Sequence, residues 1–385
     1  MITRIKAHRY RCLQSIDQTV GPFQILVGPN GSGKSAFLET IVFLAELVSE
    51  GLESAIKTEN FSELVWGGQE TGFAISIEAE IPEQSRVLMG TTTSRKVMYE
   101  VEVRADQATD SVVIANETVS ILSEDPDFKM DVVKRQPKTV LFREERGGGE
   151  HSFAVPRSLS GLANLPTDES KFPGAIGLKN LLREGVQYVI LDNELLRGAS
   201  PPFQGNPKVF DGFTLPRFVA RLKEVFPSLF NDWLAHVRTA LPDLESVDTV
   251  KRPEDQYRYI VLRYRNGVEL PSWAASDGTL RLLALTVLAY LTDFKGIYLV
   301  EEPENGVHPS ALETIFQSLS SVYQGQVLVA SHSPILLSLA KAEQLLCFHG
   351  TASGTQIING AQHPVLRDWR GEVSLGDLFA AGILT

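Results

Sequence analysis

Unbroken apolar runs mark the two ends of this chain, and strict apolar–polar alternation marks its middle. Phe23-Gln24-Ile25-Leu26-Val27 reads as a buried strand, and Ala36 through Val48 carries apolar residues at helical spacing. Two more continuous runs, Gly296-Ile297-Tyr298-Leu299-Val300 and Gln326-Val327-Leu328-Val329-Ala330, predict strands covered on both faces, as in a parallel sheet. Helical patterns run from Leu280 to Leu291 and from Pro309 to Tyr323. From Gly72 the period changes to two, over Phe73 to Ala79, Val97 to Val103, Val112 to Leu122 and Thr139 to Phe142, which predicts an antiparallel sheet. Glu144 to Lys171, rich in Gly, Ser and Pro, reads as an extended loop. Residues 174–243 read as mostly helical, and strands around Ser246 to Val250 and Tyr257 to Arg265 follow. The expectation is an α/β fold in four segments: a first lobe (1–70), an antiparallel β-subdomain (72–143), a loop and helical insertion (145–245) and a closing lobe (246–385). No repeat, low-complexity tract or long heptad run is evident.

Chemistry enters at the first strand–helix junction. Residues 28–35 read Gly-Pro-Asn-Gly-Ser-Gly-Lys-Ser, with Gly28, Gly33, Lys34 and Ser35 at every required position of a phosphate-binding P-loop. Backbone N–H groups across Asn30, Gly31, Ser32 and Gly33 can turn toward phosphates, and the helix N-terminus adds the positive end of its dipole. Lys34 would reach the β- and γ-phosphates, and the Ser35 hydroxyl would ligate magnesium. The pattern predicts a nucleoside triphosphate, ATP or GTP.

Composition changes little. A chain of 385 residues has ample core, and 43% hydrophobic with 22% charged residues is ordinary for a soluble globular protein. Two cysteines, Cys12 and Cys347, are too few for a disulfide framework and point to a reducing cytoplasm. No run approaches the ~20 apolar residues of a membrane span, and the N-terminus lacks a signal-peptide core, so no membrane association is expected. A net charge of −11 argues against indiscriminate wrapping of nucleic acid. A local basic groove stays open, with Lys134-Arg135-Gln136-Pro137-Lys138, Arg143 and Arg146 as the best stretch, although Glu144, Glu145 and Glu150 dilute it. The helical face at Phe218, Leu222, Val225, Phe226 and Leu229 reads as core.

A second cluster lies far downstream. Ala275-Ser276-Asp277-Gly278-Thr279 opens a helix, and Ser276 taken alone reads as a simple N-cap. The apolar strand after it ends in Glu301-Glu302-Pro303-Glu304, which delivers carboxylates to the C-terminal edge of a parallel sheet. The next strand ends in Ser331-His332-Ser333-Pro334, so His332 should lie on the neighbouring strand, able to donate a hydrogen bond to a γ-phosphate.

This order of P-loop, Ser-Asp-Gly-Thr, Glu-Glu strand and His strand resembles the ABC-type ATPase heads of the RecF/OLD-like, SMC-related group. Tyr10-Arg11-Cys12-Leu13 resembles the group's first hairpin, Glu302 to Pro309 its extended Walker B and D-loop, and Leu375-Gly376-Asp377-Leu378-Phe379 its close. The resemblance implies a P-loop NTPase of ABC-ATPase type that hydrolyses ATP with Mg2+ and forms a homodimer around the nucleotide. Ser276 and Gly278 would touch the γ-phosphate held by a second copy. Glu301 would hold magnesium, Glu302 would orient the attacking water, and His332 would contact the γ-phosphate. Gln69 stands where a metal- or water-contacting glutamine would sit and reads equally as a turn residue. Arg11 is a further nucleotide contact to test.

Two departures stand out: Glu301 replaces the usual aspartate, and the signature is Ser-Asp-Gly-Thr instead of Leu-Ser-Gly-Gly-Gln. The resemblance implies a clamp or switch in DNA repair or phage defence. The 53 residues after His332 read as the end of the head, so a nuclease effector is expected as a separately encoded partner, with DNA as an open ligand. Two alternatives remain. One is an ATP-dependent scaffold without turnover; the other is a transporter subunit, disfavoured by the 241 positions from Ser35 to Ser276.

Overall fold

The computed structural model describes every residue except 57–59, 69–70, 91–93, 107–109, 126, 203–208, 293, 352–353, 368, 370, 372 and 385, with Ser94 and Arg95 described in backbone only. The chain divides into two compact units, one formed by 1–21, 28–186 and 348–358, the other by 22–27, 187–347 and 359–385.

The first unit is built on an eight-stranded antiparallel sheet. Its order is Leu13–Thr19, Ile2–Tyr10, Gly72–Glu80, Ser94–Asp106, Ser111–Ser123, Lys129–Arg135, Val140–Arg143 and Glu150–Phe153. Alternation sets its two faces. Phe73, Ile75 and Ile77 are buried together with Tyr99, Val101 and Val103, whereas Arg4, Lys6, Glu100 and Glu102 line the polar face. The helix Lys34–Glu50 lies under the buried face, where Tyr10, Phe43 and Phe73 meet with ring centroids 5.0–6.0 Å apart. The helix Pro173–Glu184 packs on that helix. Its first turn is held by Glu145, whose two carboxylate oxygens accept from the Gly174 and Ala175 N–H groups at 2.8 Å.

The strand Lys129–Arg135 corrects the basic-groove expectation. It was absent from the alternation reading, and it turns Arg135 inward, where the guanidinium pairs with Glu117 at 3.0 Å. Glu117 also accepts from Tyr99, Ser160 and the Gly161 and Leu162 N–H groups, so this buried carboxylate is fully satisfied. Lys134 pairs with Asp131 and Arg143 with Glu150. Three cations of the expected patch therefore neutralise the protein's own carboxylates.

In the second unit a parallel sheet runs Val209–Phe210, Val186–Val189, Ile297–Glu301, Gln326–Ala330, Phe23–Val27, then the first residues of Leu345–Thr351. Ile297 through Val300 and Gln326 through Ala330 are buried throughout, as their unbroken apolar text requires. The helices Leu215–Val225, Pro227–Ala240, Asp277–Val287 and Leu312–Ser320 contribute to one core with a three-stranded antiparallel sheet, Leu244–Lys251, Arg258–Tyr264 and Glu269–Pro271. Trp233 is fully buried there, its indole N–H donating to Thr286 Oγ1 at 3.0 Å. The helical face read as core is core at Leu222, with Phe218, Phe226 and Leu229 packed against it, but Val225 is exposed. Within the stretch read as mostly helical, Val186–Val189 is a strand.

Candidate functional site: two motif clusters

The P-loop cluster lies in the first unit. Gly33 takes φ 101° and ends the loop as the cap of helix Lys34–Glu50. A Cβ there would sit 2.6 Å from Thr355 Oγ1 and 3.2 Å from Cys12 Sγ, so glycine is required by conformation and by space. Gly28 is as confined, since a Cβ would meet the Phe348 carbonyl oxygen at 2.4 Å. Thr355 Oγ1 donates to the Ser32 carbonyl at 2.9 Å and so braces the loop from behind. Nothing in the sequence marked Thr355 for this part.

Pro29, Asn30 and Gly31 form the exposed crest, Ser32, Gly33 and Lys34 are buried, and Ser35 is exposed on the first helical turn. Lys34 Nζ donates to the Gly28 and Pro29 carbonyls at 2.8 and 2.9 Å. The helix has no side-chain cap and no acidic residue in its first turn. Ser32 Oγ is buried without a hydrogen-bond partner among the described residues. An uncapped N-terminus, a constrained glycine cradle and an orphaned hydroxyl suit a bound polyphosphate. Arg11 sits at φ 51° with Nε 2.7 Å from Glu39 Oε2, on the helix that follows the loop. Gln69 lies outside the described residues.

The carboxylate and signature cluster lies in the second unit. Register places Glu301 opposite Ala330, at the ends of neighbouring parallel strands. The strand Gln326–Ala330 in turn pairs with Phe23–Val27, whose next residue along the chain is Gly28. Glu301 Oε1 accepts from the Tyr188 hydroxyl at 2.7 Å. Glu302 leaves the strand with φ 45°, a left-handed conformation costly for a side-chain-bearing residue. Its N–H donates to the Ala330 carbonyl at 2.8 Å, and its carboxylate is exposed, bonded by Asn305 Nδ2, with Oε1 4.0 Å from His332 Nε2. The strand ends thus bring Glu301, Glu302 and His332 together, as their order along the chain implied. Among the described residues no cluster of three or more His, Cys, Asp or Glu forms a metal cage.

Ser276 caps the helix Asp277–Val287, accepting from the Thr279 N–H at 3.2 Å, and it is exposed. Asp277 is fixed by Arg197 at 2.6 Å and by Asn193 Nδ2 at 3.1 Å, and Arg281 Nε donates to Asn193 Oδ1 at 2.8 Å. Gly278 is tight: a Cβ would lie 2.8 Å from the Gly306 carbonyl, on the turn that follows the carboxylates. Tyr188 escaped the sequence reading, and Asn305 entered it only as part of the Glu302 to Pro309 stretch. Tyr188 had a signal, since Val186-Gln187-Tyr188-Val189-Ile190 follows Gly185 as a β-rich run.

A strand leading into a P-loop, a parallel neighbour ending in a histidine and a next neighbour ending in two glutamates give the chain the fold of a P-loop NTPase of ABC-ATPase type. Comparison with known proteins agrees. Residues 210–338 match the family described as "AAA domain, putative AbiEii toxin, Type IV TA system". The chain is 21% identical over 364 residues to the OLD nuclease of Thermus scotoductus, covering 90% of this chain and 61% of that protein's length. Among solved structures it is similar to an Smc head bound to the C-winged-helix domain of ScpA, with TM-score 0.56, 14% identity, and coverage of 93% and 97% of the two chains. A second Smc head with an extended coiled coil, bound to the C-terminal domain of ScpA derived from Pyrococcus furiosus, gives TM-score 0.53, 11% identity, and coverage of 93% and 95%. The chain thus has the fold of an SMC-type ATPase head, and its sequence is similar to that of an OLD nuclease.

Proposed function

We propose that this chain binds and hydrolyses Mg-ATP, pairs with a second copy around the nucleotide, and acts as a nucleotide-driven clamp or switch on a separately encoded effector. The observation that carries the reading is Glu302, exposed at a strand end in a left-handed conformation with His332 alongside. Such strain persists where a side chain must be presented at one angle. A spare surface glutamate has no need of it.

The P-loop N–H groups and Lys34 would hold the phosphates. Ser35 and Glu301 would hold magnesium, which neutralises charge on the β- and γ-oxygens when bound. Glu302 would accept a hydrogen bond from the attacking water and hold it in line, and His332 would donate to the γ-phosphate. Ser276 and Gly278 stand at a helix N-terminus with Ser276 exposed, and each copy would complete the other's site. Arg11 and Gln69 are assigned to the nucleotide side of the same site.

The same reading places the chain in DNA repair or phage defence in the cytoplasm; the similarity to an OLD nuclease supports its link to nucleic acid. A protein partner is supported by neighbours crystallised with ScpA. No described helix is long and apolar enough to cross a membrane.

The test is the molar mass of Glu302→Gln by light scattering with and without Mg-ATP, beside phosphate release by the wild type. Mass doubling with ATP, and turnover present in wild type but lost in the variant, is expected. Unchanged turnover in Ser276→Arg would sink the contribution of the second copy.

A further inference from the structure

We infer that Glu304 is a positioning residue that sets His332 for the reaction, an inference that rests on the hydrolytic reading above. The strand Gln326–Ala330 ends one residue before Ser331, and the helix Pro334–Leu339, capped by Ser333, begins soon after. Ser331 is still held by the sheet, its N–H donating to the Leu26 carbonyl at 3.1 Å. His332 lies between the two elements, and its backbone is held from the side.

Glu304 provides that hold. One oxygen, Oε1, accepts from the His332 N–H at 2.7 Å and from Ser331 Oγ at 2.9 Å. Ser331 Oγ in turn accepts from the Ser333 N–H at 3.0 Å, so a single carboxylate oxygen organises three successive residues. The other oxygen, Oε2, is buried without a hydrogen-bond partner among the described residues. A carboxylate used at one oxygen only, on a turn with solvent close by, is retained for what that oxygen fixes.

The turn carrying Glu304 is the one that carries Glu302, closed by the Asn305 N–H donating to the Glu302 carbonyl at 3.0 Å. It therefore addresses His332 twice, with Glu302 facing the ring and Glu304 gripping the backbone. Releasing the grip would let the imidazole drift from Glu302, and a misplacement of ~1 Å can cost on the order of 100-fold in rate.

The experiment is a double-mutant cycle on ATP turnover with Glu304→Ala, Glu304→Gln, His332→Ala and the Glu304→Ala/His332→Ala pair. Glu304→Ala should lower kcat by roughly 10- to 100-fold with KM for ATP little changed, since the group acts on the chemical step. Glu304→Gln should recover most of the rate, because its amide oxygen can serve Ser331 and His332 while its nitrogen replaces an oxygen that receives no bond. In the His332→Ala background, Glu304→Ala should cost nothing further. Additive losses, or a Glu304→Gln variant as slow as Glu304→Ala, would overturn the inference while leaving the hydrolytic reading intact. A His332→Ala variant with wild-type turnover would overturn the inference and leave hydrolysis standing, whereas a wild type that releases no phosphate would overturn the hydrolytic reading itself. Circular-dichroism melts of each variant separate a lost rate from a lost fold.

Discussion

Replacing Tyr188 by phenylalanine removes one oxygen and tests how Glu301, the proposed magnesium ligand, is held. The Tyr188 hydroxyl donates to Glu301 Oε1 at 2.7 Å between partly buried groups, and a hydrogen bond to a charged acceptor contributes about 1.5–3 kcal/mol. Glu301 has one more side-chain torsion than the aspartate common at this position, so its carboxylate has more orientational freedom to lose when a metal arrives. The tyrosine restricts that freedom beforehand. Removing an outer partner of a metal ligand typically costs about 10- to 100-fold in metal affinity or activity, which matches the hydrogen-bond energy at ~1.4 kcal/mol per tenfold. The assay is phosphate release against magnesium concentration at saturating ATP, with a thermal melt as control. Tyr188→Phe should raise the magnesium midpoint by about tenfold or more while the melt moves little. An unchanged midpoint would refute the reasoning, whatever happened to the maximal rate.

Gly33→Ala should abolish ATP binding, measured by calorimetry, because its Cβ would lie 2.6 Å from Thr355 Oγ1 at a φ of 101°; binding within twofold of wild type would contradict that strain. Arg135→Ala should destabilise the protein by about 3–5 kcal/mol in urea by stranding the buried Glu117, with no change in any DNA affinity measured at several salt concentrations. Burial raises the Glu145 carboxyl to about 7, against the Ala175 and Gly174 N–H groups that pull it down. Its folded pKa thus exceeds the unfolded one, so the folded state binds more protons between them, and this group's contribution to stability falls as pH rises from about 5 to 8. Denaturation across that window should show the slope in wild type and lose it in Glu145→Gln; an identical slope in both would remove Glu145 as its source.

The strands that carry the chemistry were legible because a strand buried on both faces must be written as an unbroken apolar run. Phe23–Val27 and Gln326–Ala330 have the bounds their sequence predicts. Glycines in the P-loop were legible for a related reason: few other residues tolerate its backbone. What stayed hidden depends on partners distant in sequence. Arg135 reads as surface charge until Glu117, eighteen residues away, is placed beside it. The strand Val186–Val189 has β-rich composition but is too short to announce a period, and nothing local ties Tyr188 to Glu301, 113 residues on. Thr355 comes to the P-loop from more than 300 residues downstream. Motif order showed where Glu304 and Asn305 stand, and only the hydrogen bonds show what they hold.

The left-handed backbone at Glu302 sets activity and stability against each other at one position. A side chain there costs about 1–2 kcal/mol that glycine would not incur. Drift or screening that rewards thermal tolerance alone would favour Glu302→Gly, a sturdier protein without the group proposed to orient water. The glutamate's persistence in that conformation records a demand that folding by itself does not make.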